Sequence, residues 1–420
     1  MTEHVLVFGV GYDIPARMRA FGVGAGRKVT TSVMCLPEHL EKMDDTADHT
    51  RVLVLRPDAS EEEWLALARA VHAVDPVTRI GSFYDDCRPQ AAAVAQALGL
   101  DTHRPETVEI VMDKYAMRRR LAETGVEATS SAVVENAADL IAFADRHGYP
   151  CVVKPLTGAA SRGVSILHEP AQAEAALERA GTAGAGTRAT VEEFLVGPQF
   201  SVEAFSEQGA HVVVTITRKY SDPVSLVELG HVMPAPLDAE QTAAIERHVV
   251  ASLEALGVEF GPTHTEVILT ERGPRIIETH LRTGGDELWN MVTDATGVDL
   301  IESQLRQVLG EKVLPEIRAT LGDPDRARRT EAIWFAGAPA EGTLVEVSGA
   351  DADAVRPEHV KLHILAAPGA ELAGLQNSFS RLAWARAHAD TAEEALAAAR
   401  EAIDALSFVT RVAAARTELI

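Results

Sequence analysis

The stretch Pro262–Asp286, reading P-T-H-T-E-V-I-L-T-E-R-G-P-R-I-I-E-T-H-L-R-T-G-G-D, constrains this chain more than any other. Two runs alternate apolar with polar residues, Thr265–Thr270 and Arg275–Leu281, and Glu271-Arg272-Gly273-Pro274 joins them. A glycine-containing connector between two such runs predicts a β-hairpin. Side chains alternate faces along a strand, so Glu278, His280 and Arg282 share one face, and cross-strand pairing can bring Glu266 opposite them. Two carboxylates that close repel unless a cation lies between them, and an oxygen-rich set of this kind suits Mg²⁺ or Mn²⁺. A solvated hairpin carrying scattered charges is the alternative reading of the same residues.

Length and charge narrow the partners. At 420 residues the chain exceeds one ordinary core and predicts several domains, and 46% hydrophobic with 24% charged residues fits globular structure. The formal charge, 39 − 62 = −23, argues against nucleic acid or an anionic membrane surface as a partner, because both require a basic face. Cys35, Cys87 and Cys151 have neither metal-like spacing nor even number, which predicts buried inert thiols in a reducing compartment. Glu3 and His4 precede a short apolar run, far from a signal-peptide core, and no stretch approaches a membrane span; a cytoplasmic protein is expected.

In chain order, Val5–Phe8 reads as a buried parallel strand entering a turn at Gly9-Val10-Gly11, and Val52–Leu55 as another. Ser60, followed by Glu61, Glu62 and Glu63, starts a capped helix to Ala73. This is α/β alternation. Ile14 occupies the place of the third glycine of a dinucleotide fingerprint, so the glycines are expected only to turn the chain above the strand. Asp113–Gly125 reads as one helix with Lys114 in its first turn. Cys151–Pro155 is a short buried strand ending at Lys154, and the small residues of Thr157–Val164 let backbone N–H groups approach a polyphosphate; no G-K-[ST] follows, which excludes the P-loop. From Thr190, a strand carries Glu192-Glu193, a turn falls at Gly197-Pro198, and a second strand begins at Phe200. A strand end beside Phe194 and Leu195 can read an adenine edge and cover its face.

Asp113-Lys114, then V-V-K-P with its small-residue loop, then E-E-F-L-V-G-P, then the hairpin stretch occur in one order over about residues 111–318. Together they resemble the ATP-grasp superfamily, and within it the ATP-dependent carboxylate–amine ligases that join L-amino acids into dipeptides. The resemblance implies an ATP-grasp fold with α/β and α+β parts: a Rossmann-like N-terminal α/β domain over 1–110, an ATP-grasp domain over 111–322 with a small lid subdomain near 128–200, and a small C-terminal α+β domain over 323–420. It implies that Lys114 and Lys154 hold the ATP phosphates, that Ser161 and Gly163 belong to a closing flap, and that Glu192, Glu193, Phe194 and Leu195 form the adenine hinge. Glu266 and Glu278 would bind Mg²⁺ (or Mn²⁺), and Arg282 would meet the transferred phosphoryl group. Two positions depart from the pattern. His280 stands where relatives carry a metal-binding Asn, and Gln199 where some carry a ribose-binding Glu. An imidazole can still ligate an ion, and Gln199 can still bond a ribose hydroxyl.

The chemistry implied is attack of a carboxylate on the γ-phosphate of ATP, then of an amine on the acyl phosphate, releasing ADP and phosphate. Water has to be excluded, and the flap is the natural lid. On the acceptor side, Arg218-Lys219-Tyr220 and Val227–Pro236 resemble segments lining the substrate cavity; Glu228 and His231 are candidates, with a polar loop as the alternative. Gly284, Gly285 and Trp289, with Asn290, follow because N–H groups at a glycine turn suit a substrate carboxylate. Strands at Glu331–Ala336, Thr343–Val347, Lys361–Leu365 and Phe379–Ala387 and a helix over Thr391–Leu406 make up the C-terminal unit, whose Asn377–Arg381 turn either reaches the cavity or is a structural turn. Small-molecule substrates and a homodimer are expected. A biotin-carboxylase-like or purine-pathway-like enzyme activating bicarbonate or formate is a second reading, and nucleotide binding without turnover a third.

Overall fold

The apolar run Val5–Phe8 is fully enclosed because helices cover both faces of its sheet. In the computed structural model, which describes residues 2–9, 11–43, 46–156, 162–183, 188–326, 329–349 and 358–411, the first sheet is parallel. Its strands β1 (Thr2–Phe8), β2 (Lys28–Cys35), β3 (Arg51–Val54) and β4 (Arg79–Ser82) run in the order β3-β2-β1-β4. Ser60 caps the helix Glu61–Val74, with Glu63 closing the capping box, as the sequence predicts. The first unit docks through Ile14 and Met18 on Leu305 and Leu309, next to the helix Leu300–Val308.

A second, antiparallel sheet has the order β5-β8-β6-β7: β5 (Ser131–Val134), β6 (Cys151–Pro155), β7 (Ser165–Leu167) and β8 (Ala189–Glu193). Its inner face packs on the helices Ala137–His147 and Ala173–Ala183 through Leu140, Phe143, Val153, Leu167 and Val191.

The third sheet is the body of the molecule. β9 (Gln199–Glu207), β10 (Ala210–Ser221), β11 (Glu228–Met233), β12 (Phe260–Thr270) and β13 (Gly273–His280) are joined by β14 (Thr330–Gly337), β16 (Val360–Ile364) and β18 (Arg381–Ala389) in the order β13-β12-β9-β10-β11-β14-β18-β16. Met117, Leu121, Ile245, Val249 and Leu253 cover one face near the hairpin, while Leu288, Met291 and Val292 lie with Phe205 and Met233. The C-terminal strands therefore extend the central sheet instead of closing a sheet of their own: β11 offers a free edge that β14 takes through Gly230↔Trp334 and its neighbours. Only β15 (Glu341–Ser348), β17 (Glu371–Ala373) and β19 (Ser407–Arg411) form a separate small sheet, and β17 and β19 have no counterpart in the sequence reading. Among the described residues, no helix is long and apolar enough to cross a membrane. Cys35, Cys87 and Cys151 are free and buried, and burial pushes each thiol up, to about 11 for Cys35 and Cys151 and about 12 for Cys87.

Candidate active site

The hairpin forms with a connector of two residues, Glu271-Arg272, and Thr270 opposite Gly273. Continued without a break, that register would put Glu266 opposite Ile277 and turn Glu278 to the other face. A β-bulge between Glu266 and Val267 shifts the pairing by one residue, so Glu266 lies opposite Glu278 and the two carboxylates share a face. The bulge is held from beneath. Arg118, in the helix Lys114–Glu123, donates to the carbonyls of Ile276 and Ile277, the latter at 3.1 Å, and Glu127 accepts from the Ile276 N–H at 2.8 Å. Arg118 also bonds Glu127 at 3.0 Å and Glu192 at 2.8 Å. This buried arginine and Glu127 carried no signal in the sequence beyond an ordinary basic run on a helix.

Each acidic group on this floor has a cation. Lys154, at the end of β6, donates to Glu192 at 3.0 Å. Burial alone would raise the Glu192 carboxyl, but Arg118 and Lys154 outweigh it and bring it down to about 2. Lys114 lies 3.0 Å from Glu278, and Lys219 bridges Glu266 and Glu228, 3.2 Å from the latter. Despite burial, the ammonium of Lys219 is stabilised far above its ordinary range by Glu266 and Glu228, while the two hairpin glutamates are held below theirs. His264 donates toward Glu203 at 2.6 Å and, although buried, is raised to about 9 by that carboxylate and Glu266.

A cavity of about 260 Å³ opens above this floor. Lys114, Lys154, Glu192, Glu193, Phe194, Leu195, Gln199, Glu228, Glu266 and Glu278 all line it, although they come from residues spread over more than 160 positions. Its apolar walls are Val152, Ile268 and Ile277, which read in the sequence only as strand core. Within the hinge, the two glutamate side chains are engaged by protein groups. Glu192 faces the lysine, and Glu193 accepts from the Ser130 N–H at 3.0 Å and from Arg272 at 2.9 Å. Gln199 donates to Glu266 at 3.3 Å. Gly163 lines the adjoining groove together with Arg162, which also lines the cavity; Ser161 lies outside the described residues.

His280 differs most from expectation. Its Nδ1 lies 3.2 Å from Asp85 and its Nε2 3.2 Å from Glu278, and these carboxylates raise its pKa against burial. With both ring nitrogens engaged, the imidazole as placed has no lone pair for an ion, and among the described residues no three His, Cys, Asp or Glu side chains form a metal cage. Of the expected set, Glu266 and Glu278 lie opposite each other across the hairpin, while His280 lies between Asp85 and Glu278. Arg282 donates from Nε to Asp85 at 2.7 Å and from Nη1 to the Thr283 carbonyl at 2.9 Å. Asp85 follows β4 and was not singled out from the sequence; its place after the carboxyl end of a parallel strand, where α/β sheets bind ligands, was the available signal.

The acceptor candidates separate. Glu228 accepts from Lys219 and from the Ser378 hydroxyl at 3.1 Å, so the Asn377–Arg381 turn does reach the cavity wall, with Phe379 exposed beside it. His231 is buried instead: its Nε2 bonds Asp286 at 3.0 Å, and Arg381 clamps the same carboxylate while stacking 3.8 Å over Phe335. A substrate contact through His231 Nε2 is thereby displaced by a structural one. At Gly284 a Cβ would come within 2.7 Å of His264 Nδ1, so only glycine lets this loop pass, and its N–H donates to Glu203 at 3.2 Å. Gly285 is exposed and Trp289 half-buried, and neither lines the cavity, nor does Asn290, whose amide bonds Glu287 at 2.8 Å.

Comparison with known proteins agrees with this geometry. Residues 147–289 match the ATP-grasp domain family, and residues 334–411 match L-amino acid ligase C-terminal domain 2. The chain is 26% identical over 273 residues to alanine–anticapsin ligase of Bacillus subtilis, covering 59% of this chain and 56% of that protein. It is 28% identical over 219 residues to dapdiamide A synthase of Enterobacter agglomerans, covering 49% and 50%. The chain thus spans about half the length of these two ligases. Among solved structures, L-amino acid ligase from Bacillus licheniformis superposes with a TM-score of 0.79 at 22% identity, over 97% of this chain and 99% of that one. Two segments of the chain therefore match known domain families, an ATP-grasp domain and an L-amino acid ligase C-terminal domain 2, and the overall fold is that of the solved L-amino acid ligase.

Proposed function

We propose that the protein joins two amino-acid-like substrates through an amide bond, activating a carboxylate as its acyl phosphate and releasing ADP and phosphate. The observation that carries this reading is the cross-strand pairing of Glu266 with Glu278 at the floor of a cavity that Lys114 and Lys154 also line. Adenine fits between Val152, Leu195, Ile268 and Ile277, with Gln199 toward the ribose. The phosphates then run toward the two lysines, which neutralise their charge, and Arg282 faces the γ-phosphoryl group as it moves to the substrate carboxylate. Glu228, tied to the C-terminal turn, faces the acceptor amine. The groove beside Arg162 and Gly163 is where a flap can close and keep water from the acyl phosphate.

The donor set fits Mg²⁺, with Mn²⁺ as the substitute: two half-buried carboxylates on one face, each also paired with a lysine, are hard oxygen ligands that leave room for substrate phosphates to complete the shell of an ion. Bound there, the ion would supply charge neutralisation on the β- and γ-phosphates. The homodimer and cytoplasmic location expected from the sequence belong with this proposal, in keeping with acidic composition and the small-molecule ligases the chain resembles.

Incubation of the protein with Mg-ATP and pairs of L-amino acids, read as phosphate release, dipeptide mass and nucleotide product, tests the reading. Dipeptide with equimolar ADP and phosphate is expected. AMP in step with product, or product only with bicarbonate or formate, would refute it.

A further inference from the structure

We infer that Asp85, supplied by the N-terminal unit, is a positioning residue that orients Arg282, and that the Gly9 turn exists to seat the loop that carries it. This rests on the role given to Arg282 above. Asp85 Oδ2 accepts from Arg282 Nε at 2.7 Å, and the Thr283 carbonyl takes Nη1 at 2.9 Å. Two fixed edges of a planar guanidinium leave Nη2 outside both bonds and set its direction. The same Asp85 oxygen lies 3.2 Å from His280 Nδ1, so one carboxylate from a separate unit fixes two consecutive outward residues of β13 and its extension.

The loop that carries Asp85 is held from three sides. Gly9 ends β1 at φ +75°, and a Cβ there would lie 2.8 Å from the Asp86 carbonyl oxygen, so the loop can close over the strand only above a glycine. Gln304, in the helix Leu300–Val308, donates to the Ser82 carbonyl at 3.2 Å. Behind Asp85, the buried Arg88 lies 3.9 Å away at the first turn of the helix Arg88–Leu98, and burial lowers it to about 10. Among the described residues, Arg88 Nε and Nη2 have no hydrogen-bond partner, so their charge acts on Asp85 through space. Gly9 thereby acquires a role in the ligase site at long range.

The test compares Asp85→Asn, Gly9→Ala, Arg282→Ala and the double variants with the parent protein. ADP release from Mg-ATP is measured with the most active amino-acid pair and with water alone as acceptor, beside calorimetric titration with ATP. Asp85→Asn is expected to lower kcat roughly 10- to 100-fold, the scale of a small misplacement of a catalytic group, with ATP affinity within about twofold of the parent. Gly9→Ala should reproduce the split with the charge at 85 intact, which keeps the test alive should Asp85→Asn fold poorly. In the Arg282→Ala background neither change should lower the rate further, because the group they position is gone. Full activity of Asp85→Asn, or double variants that fall by the product of the single effects, would overturn the inference. Full activity of Arg282→Ala would instead overturn the functional reading beneath it.

Discussion

Replacing Lys154 by Met removes one ammonium from the floor of the cavity while keeping the aliphatic volume of the strand end. The effect on folding follows from what Glu192 retains. Its carboxylate accepts from Lys154 at 3.0 Å and from Arg118 at 2.8 Å, so after substitution the buried charge still has a guanidinium partner. A buried carboxylate stripped of every partner costs about 3–5 kcal/mol. One that keeps its stronger partner loses about 1 kcal/mol, the net value of a hydrogen bond, or a few degrees in Tm. Nucleotide binding should suffer more, because on the proposed reading only Lys114 is left to meet the phosphates. A charge-assisted hydrogen bond contributes about 1.5–3 kcal/mol, or roughly 10- to 150-fold in Kd. Calorimetric titration with ATP and a melting curve on the same preparation measure both. Unchanged affinity in a folded protein would remove Lys154 from the phosphate site, and a fall of more than about 10 °C in Tm would mean that Arg118 does not hold Glu192 alone.

Three further outcomes are expected. Arg118→Met strips Glu127, Glu192 and the carbonyls of the hairpin bulge of a shared donor, so it should cost about 3–5 kcal/mol in urea unfolding and lower Tm far more than Lys154→Met; equal melting of the two variants would contradict the bulge argument. Glu331 is buried beside Arg386, and burial raises its carboxyl from an ordinary value near 4.5 to about 7. The folded state therefore favours the protonated form, and this group's contribution is full below about pH 4.5 and lost as pH rises through 7; the Tm of Glu331→Gln relative to the parent should climb between pH 5 and 8, and a constant difference would refute the shift. EDTA should abolish turnover and Mg²⁺ restore it, with the same Mg²⁺ to Mn²⁺ ratio in His280→Asn, since both imidazole nitrogens are engaged by carboxylates; a changed ratio would put the imidazole on the ion.

Local physics was legible in the sequence wherever a residue acts on its own neighbours. Ser60 and Glu63 cap a helix whatever surrounds it, Asp113 starts the helix that carries Lys114, and the apolar runs at Val52–Leu55 and Cys151–Pro155 became strands within a residue. The order of the four motifs also sufficed to bring together ten of the expected residues on one cavity, since the lining residues come from strand ends that the motifs mark. Tertiary structure alone decided three things. Whether Glu266 and Glu278 share a face depends on a one-residue bulge, and alternation along each strand says nothing about the register between them. Whether His280 meets an ion or a carboxylate depends on Asp85, almost 200 positions earlier, brought there by the docking of a separate unit. Whether the C-terminal strands stand alone depends on the free edge of β11, which no strand pattern in 330–389 can report. Each is a pairing between distant segments, fixed by hydrogen-bond register and by charges that find partners only in the folded chain.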